Sequence, residues 1–168
     1  FEGQRSNRPD IGVFSGIRRF IQHSDIFTAS LENPLTTSGN RIDGKCTLRG
    51  DPGWALVLKE VGINLVSLAN NHIMDYGSEG LIETMLSLDA AGIKHVGAGL
   101  NLQEACKPLF LEVKGRRIAF LARSDVIVTS PSYAGLSTPG IASLDIHELQ
   151  NNITGCCSNS DLVIVFLR

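Results

Sequence analysis

Several familiar functional signatures are missing from this chain. Its four cysteines, Cys46, Cys106, Cys156 and Cys157, form no C-x-x-C pair, which excludes the usual zinc-knuckle frameworks. They read as buried thiols, with disulfides in an exported protein as the alternative, although a Cys156-Cys157 bridge would be strained. No stripe of basic residues is present. Arg18-Arg19 and Arg116-Arg117 are scattered, the net charge is -2 and the pI is near 6.1, so the electrostatic footprint of a nucleic-acid partner is lacking. No apolar run approaches the roughly 20 residues that span a bilayer. A signal peptide is not readable either, but the chain starts at Phe1 without Met, so a leader removed or left out stays open and localisation is undetermined. Gly97-Ala98-Gly99 resembles a dinucleotide loop only in part, because the third glycine would fall at Leu102; a nicotinamide or flavin site is not expected.

What is present suits one globular domain over residues 1–168, with 43% hydrophobic residues to build its core. Apolar residues Ile11, Phe14, Ile17, Phe20 and Ile21 keep helical spacing between Pro9 and His23, and the run Ile26 to Leu31 then reads as a strand. Thr36 to Gly50 has no periodicity and forms a long loop, of the length that is usually functional or mobile. Asp51-Pro52 reads as a helix start, with the helix ending at Gly62. After a strand from Leu65, a helix runs to Ala91 with Gly92 as its C-cap. His95 to Gly97 is a short strand, and Asn101 with Glu104 caps a brief helix through Cys106. Leu109–Val113 and Arg117–Ala122 read as a β-hairpin. A loop over Arg123 to Pro139, a short strand over Ile141 to Leu144, a helix from Asp145 to Cys156 and a last strand from Leu162 to Leu167 complete the order. The Asn152-Ile153-Thr154 glycosylation triplet falls inside that helix and is taken as chance.

The chemistry-bearing stretch is Leu65 to Gly77. Leu65-Val66-Ser67-Leu68-Ala69 reads as a strand buried on both faces, and it ends abruptly in Asn70, Asn71, His72 and Asp75. In open α/β sheets, ligands and metals gather where loops leave the carboxyl ends of parallel strands. The same residues also suit a plain strand-to-helix turn, since Asn and Asp tolerate left-handed backbone and cap helices. A second strand end of the same character favours a site: Ile26 to Leu31 delivers Glu32, Asn33 and Pro34 to a loop.

Leu68-Ala69-Asn70-Asn71-His72, with Asp75-Tyr76-Gly77, Glu79-Gly80-Leu81 and Thr84, resembles the signature of the CapA family of capsule and poly-γ-glutamate biosynthesis proteins, within the calcineurin-like metallophosphoesterase superfamily. Supporting similarities run along the chain, at Ser30-Leu31-Glu32-Asn33-Pro34-Leu35, Ala91-Gly92-Ile93, Gly97-Ala98-Gly99, Pro139-Gly140-Ile141 and Asp161 to Val165. The resemblance implies an α/β fold, a four-layer α/β/β/α sandwich with mixed sheets, here incomplete at both ends. It implies two divalent metal ions (Mn, Fe, Zn or Mg), held in part by Glu32 and Asn71. His72 would protonate a leaving group or stabilise the charge developing on the transferring centre, and Asp75 would fix the His72 ring.

Two functions from different classes are compatible with this. One is a metal-dependent hydrolase acting on a phosphoester, or on a linkage in an anionic polymer, during capsule or poly-γ-glutamate assembly, at the cell envelope or outside it and with other capsule-synthesis proteins as partners. The other is a non-catalytic assembly or polymer-binding component with a degenerate metal site. In the resemblance, a Gly-Asp ligand pair precedes the position of Phe1-Glu2-Gly3, and a His stands where this chain has Arg168. A piece of a longer protein is therefore expected, and in the non-catalytic reading Arg168 holds an anionic group.

Overall fold

Strands whose residues are apolar on both sides must be covered on both sides, and this chain covers them with helices outside and a second sheet inside. The structure is a computed structural model that describes residues 11–126 and 132–168. One sheet is wholly parallel, in the order β1 (Thr28–Ser30), β2 (Leu65–Ser67), β3 (Lys94–Val96). The other is mixed, in the order β5 (Leu109–Val113), β6 (Arg116–Arg123), β8 (Leu162–Leu167): β5 and β6 form an antiparallel hairpin, and β8 lies parallel to β6. A separate pair joins β4 (Ala98–Gly99), which follows β3, antiparallel to β7 (Gly140–Ile141), which lies between β6 and β8 in sequence.

Side-chain alternation builds the layers. Leu65 of β2 and Val96 of β3 point inward to meet Phe120 and Ala122 of β6, with Ile164 and Phe166 beside them. The Phe120 and Phe166 rings stack at 6.4 Å. Val66 points the other way, into a core shared with α2 (Trp54–Val61) and α3 (Gly77–Ala90) through Ala55, Leu81, Met85 and Leu88. Ala119 and Leu121 face outward from β6 onto α5 (Ile146–Cys157), through Leu149, Ile153 and Cys156. Helix, sheet, sheet, helix is the α/β sandwich expected from the sequence. Among the described residues no helix is long and apolar enough to cross a membrane.

Several local expectations shift. The first helix is α1 (Ser15–Gln22), entered through a 3-10 turn over Ile11–Phe14; Pro9 lies outside the described residues. Of its apolar residues Ile21 is buried, while Ile17 and Phe20 are exposed, so the stripe is only partly covered. β1 is shorter than the apolar run because the Phe27 amide bonds the Asn64 side chain at 2.7 Å instead of joining the sheet. The Asp51-Pro52 start is displaced to Trp54: Asp51 Oδ1 accepts from the Gly53 amide at 2.7 Å and forms a turn ahead of the helix. Cys106 and Cys156 are buried, but Cys46 and Cys157 are exposed, and all four are free thiols. The last expected short strand is confined to Gly140–Ile141. α4 (Leu102–Cys106) is capped as read, with Asn101 Oδ1 accepting from the Glu104 amide at 2.9 Å.

Two features hold the frame. Gly97 has φ +87°, and a Cβ there would lie 2.7 Å from the Cβ atoms of both Ala69 and Ala122, so the two sheets approach across it. The long loop from Thr36 to Gly50 is tied at its start to Glu83 of α3, whose carboxylate accepts from the Thr36 hydroxyl (2.5 Å), the Ser38 amide (2.9 Å), the Thr37 amide (3.0 Å) and the Thr37 hydroxyl (3.0 Å). Those bonds, the Thr36 hydroxyl foremost and Ser38 next, lower the Glu83 pKa from 4.5 to about 2.

Gly97→Ala adds backbone strain to an overlap that neither sheet can relieve, and is expected to destabilise the fold by about 3 kcal/mol, lowering the melting temperature by roughly 6–12 °C in a circular-dichroism melt. Because Glu83 is depressed in the folded state, its contribution is present above its ordinary pKa and is lost as pH falls. The stability difference between wild type and Glu83→Gln, measured by urea unfolding, is therefore expected to be full above about pH 4.5 and to vanish towards about pH 2.

Candidate functional site

The parallel register of β1 and β2 sets Ser30 opposite Ser67, and the pairing continues one step further, with the Leu31 amide donating to the Ser67 carbonyl at 3.0 Å. The loop that begins at Glu32 therefore leaves beside the turn that begins at Asn70. The second sheet reaches the same rim through β8. A cleft of about 290 Å³ lies there between Ser30, Ser67 and Ala69 of one sheet and Phe166 and Arg168 of the other.

Asn70 ties the two strand ends together. It is fully buried; its Nδ2 donates to the Leu31 carbonyl at 2.8 Å, and its Oδ1 accepts from the His72 and Ile73 amides, each at 2.9 Å. One amide thus positions Glu32's loop and closes the turn that presents Asn71 and His72. The local reason is that an apolar strand entering a helix through a short turn leaves main-chain N–H groups unpaired, and an Asn side chain satisfies two of them.

Asn71 is 9% exposed, and its Oδ1 is buried with no hydrogen-bond partner. An unpaired buried amide oxygen costs about 1–3 kcal/mol, so it is either strain or an acceptor whose lone pair is open to a cation. His72 Nδ1 lies 2.9 Å from Asp75 Oδ2. An ionised carboxylate only accepts, so Nδ1 carries the proton and Nε2 is the open nitrogen. Glu32, half-buried, is paired through Oε1 with the Arg168 guanidinium and accepts from the Ser30 hydroxyl at 3.2 Å.

Asp75 is wholly buried and holds more than His72. Its Oδ2 also accepts from the Leu48 amide at 2.6 Å, and its main-chain carbonyl accepts from the Ile42 amide at 2.9 Å. Its Oδ1 makes no aligned hydrogen bond but lies 2.5 Å from the ammonium of Lys45, a charge contact. The Lys45 side chain is only 4% exposed and also donates to the Asn71 carbonyl at 2.5 Å. Sequence reasoning marked the loop beside Glu32 but not Lys45 within it.

Asn71, His72 and Asp75 thus come together on the turn after β2, with Glu32 on the loop after the neighbouring strand. Among the described residues no group of three or more His, Cys, Asp or Glu side chains is arranged to hold a metal. The donors that do fit a hard divalent cation are the Glu32 carboxylate and the unpaired Asn71 carbonyl oxygen, both oxygen ligands of the right chemistry.

A mixed α/β sandwich with polar side chains gathered at adjoining strand ends is the class that fold and rim define. Residues 7–168 match the family described as bacterial capsule synthesis protein PGA_cap, and the chain belongs to this family. Relatives include the capsule biosynthesis protein CapA of Bacillus anthracis, 28% identical over 91% of this chain and 39% of the relative. The PGA biosynthesis protein CapA of Bacillus subtilis is 29% identical over 91% of this chain and 41% of the relative. A shorter match, 35% identical over 56% of this chain and 25% of the relative, is to a protein of Mycobacterium tuberculosis named as a probable polyglutamine synthesis accessory protein. The chain spans about two fifths of the length of the CapA relatives.

Proposed function

We propose that this domain belongs to a metal-dependent hydrolase that cleaves a phosphoester, or a linkage in an anionic polymer, during capsule or poly-γ-glutamate assembly, in company with other capsule-synthesis proteins. The observation that carries the reading is the buried, unpartnered Asn71 Oδ1, set on the turn beside the strand end that bears Glu32. Glu32 and Asn71 would hold the cation, and when bound it supplies Lewis-acid polarisation of the scissile group. The chain's own residues do the rest. Asp75 accepts from His72 Nδ1 and fixes the orientation of the ring. His72 Nε2, the open nitrogen, can then carry a proton to a leaving oxygen. Asn70 holds both strand ends in register while this happens.

A second reading is favoured by one contact. Arg168 already neutralises Glu32, which suits a component that binds an anionic polymer without cutting it. Metal content separates the two. The complete protein, purified without chelator and reconstituted with Mn²⁺ or Zn²⁺, is expected to retain metal by inductively coupled plasma mass spectrometry, and Asn71→Ala to lower its affinity by about tenfold or more; a wild type that binds none would leave the non-catalytic reading. For catalysis, His72→Ala is expected to reduce turnover of a generic phosphodiester by roughly 10²–10⁴-fold, and unchanged turnover would remove His72 as the acid.

A further inference from the structure

The Asn71 side-chain oxygen has no bond of its own, so its place is dictated by the main chain that carries it. That main chain is gripped from two sides. On one side Asn70 Oδ1 takes the His72 and Ile73 amides. On the other, Lys45 reaches in from the long loop to the Asn71 carbonyl and the Asp75 carboxylate, both at 2.5 Å. Its ammonium is almost without solvent, and burying such a charge costs several kcal/mol unless good partners repay it. Both partners that repay it belong to the segment from Asn71 to Asp75. The loop carrying Lys45 is fastened elsewhere by a separate anchor, the Thr36 to Ser38 contacts with Glu83.

We infer that Lys45 is a positioning residue for the site: it clamps the Asn71 main chain and the Asp75 carboxylate, so that the Asn71 amide oxygen and the His72 ring keep the arrangement a cation and its substrate require. This rests on the reading of Asn71 as a metal donor. Lys45 touches neither cation nor substrate; it acts through the two residues it holds. Without it, the Asn71 carbonyl loses its donor and Asp75 keeps a buried negative charge that the Leu48 amide and His72 only partly offset, so the turn relaxes and the unbonded Asn71 oxygen moves with it.

The test compares Lys45→Met, which keeps length and removes charge, with Lys45→Gln, a milder variant whose amide still donates, and with Glu83→Gln, which loosens the Thr36 to Ser38 anchor of the same loop. All are made in the complete protein and studied well below their melting temperatures. Mn²⁺ affinity is read from the free-ion electron paramagnetic resonance signal, and main-chain exposure from hydrogen–deuterium exchange over residues 70–76. The expected result is Mn²⁺ binding at least about tenfold weaker in Lys45→Met, a smaller loss in Lys45→Gln, none in Glu83→Gln, and faster exchange over 70–76 in the Lys45 variants alone. Should Lys45→Met fail to fold, Lys45→Gln decides alone. Equal affinities in wild type and the Lys45 variants, or equal losses in the Lys45 and Glu83 variants, would overturn the inference, the second by showing a merely structural loop. If the wild type binds no Mn²⁺, the metal reading fails and exchange alone judges the clamp: faster exchange confined to the Lys45 variants sustains it, and unchanged exchange ends it.

Discussion

A carboxylate with no access to water is the constraint around which this site is arranged. Asp75 is fully buried, and an isolated charge in such a place is prohibitively costly, so it must either be neutralised or be surrounded by donors. Here the donors come from both directions along the chain: His72 from its own turn, Lys45 and the Leu48 amide from the loop after β1. The long loop is therefore more than a connection. Ordering it costs conformational entropy, and its contacts with Asp75 are part of what offsets that cost. Loop and turn are coupled: whatever frees the loop from Asp75 also frees the ring that Asp75 orients.

The same coupling explains why strand ends, and not helix faces, carry the polar residues. β2 is apolar on both sides because one face meets the second sheet and the other meets α2 and α3. Ser67, its last residue, is the only polar side chain in β2, and the larger polar groups come after the strand stops. Where it stops, main-chain groups are unpaired; Asn70 pairs the His72 and Ile73 amides and the Leu31 carbonyl, while Asp75 takes the His72 ring and the Leu48 amide of the long loop. Structure and candidate chemistry are thus served by adjacent residues of one turn. Thr84, which answers the same need further along, receives the Leu35 amide at 2.9 Å and donates to the Gly80 carbonyl at 2.7 Å.

Much of this was legible in the order of residues, and the exceptions share a cause. The hairpin is legible in the sequence with Arg117 as the start of its second strand, but that strand begins at Arg116, leaving Lys114-Gly115, both with positive φ (50° and 76°), as a tight two-residue turn. Gly62 and Gly92 end helices with positive φ, and Asn101 and Asp145 begin them with side-chain caps. These signals are local. What went unread depends on partners far away in sequence. The Phe27 amide leaves the sheet for Asn64, the Ile17 and Phe20 side chains stay uncovered, and Lys45 finds the Asn71 carbonyl 26 residues on. No periodicity marks a lysine in an aperiodic loop as buried. Glu32, Asn71, His72 and Asp75 were readable because an apolar run that turns suddenly polar is itself a local pattern.

The two functional readings meet at Glu32, and magnitudes show how far apart they are. An ion pair whose members are 40% and 33% exposed, as Arg168 and Glu32 are, is worth only about 0–1 kcal/mol. On the hydrolase reading proposed above, a divalent cation would meet the Glu32 carboxylate and the unpaired Asn71 oxygen, and an ion pair this weak would be a small obstacle to it. On that reading a released Arg168 guanidinium would offer the planar donor geometry that suits phosphate or carboxylate oxygens. If no cation arrives, the same guanidinium still has Glu32 as a weakly held partner that a polyanion can replace. On either reading the rim between β1, β2 and β8 would receive an anionic group at the same place, and the readings differ in whether a cation is held there to act on it.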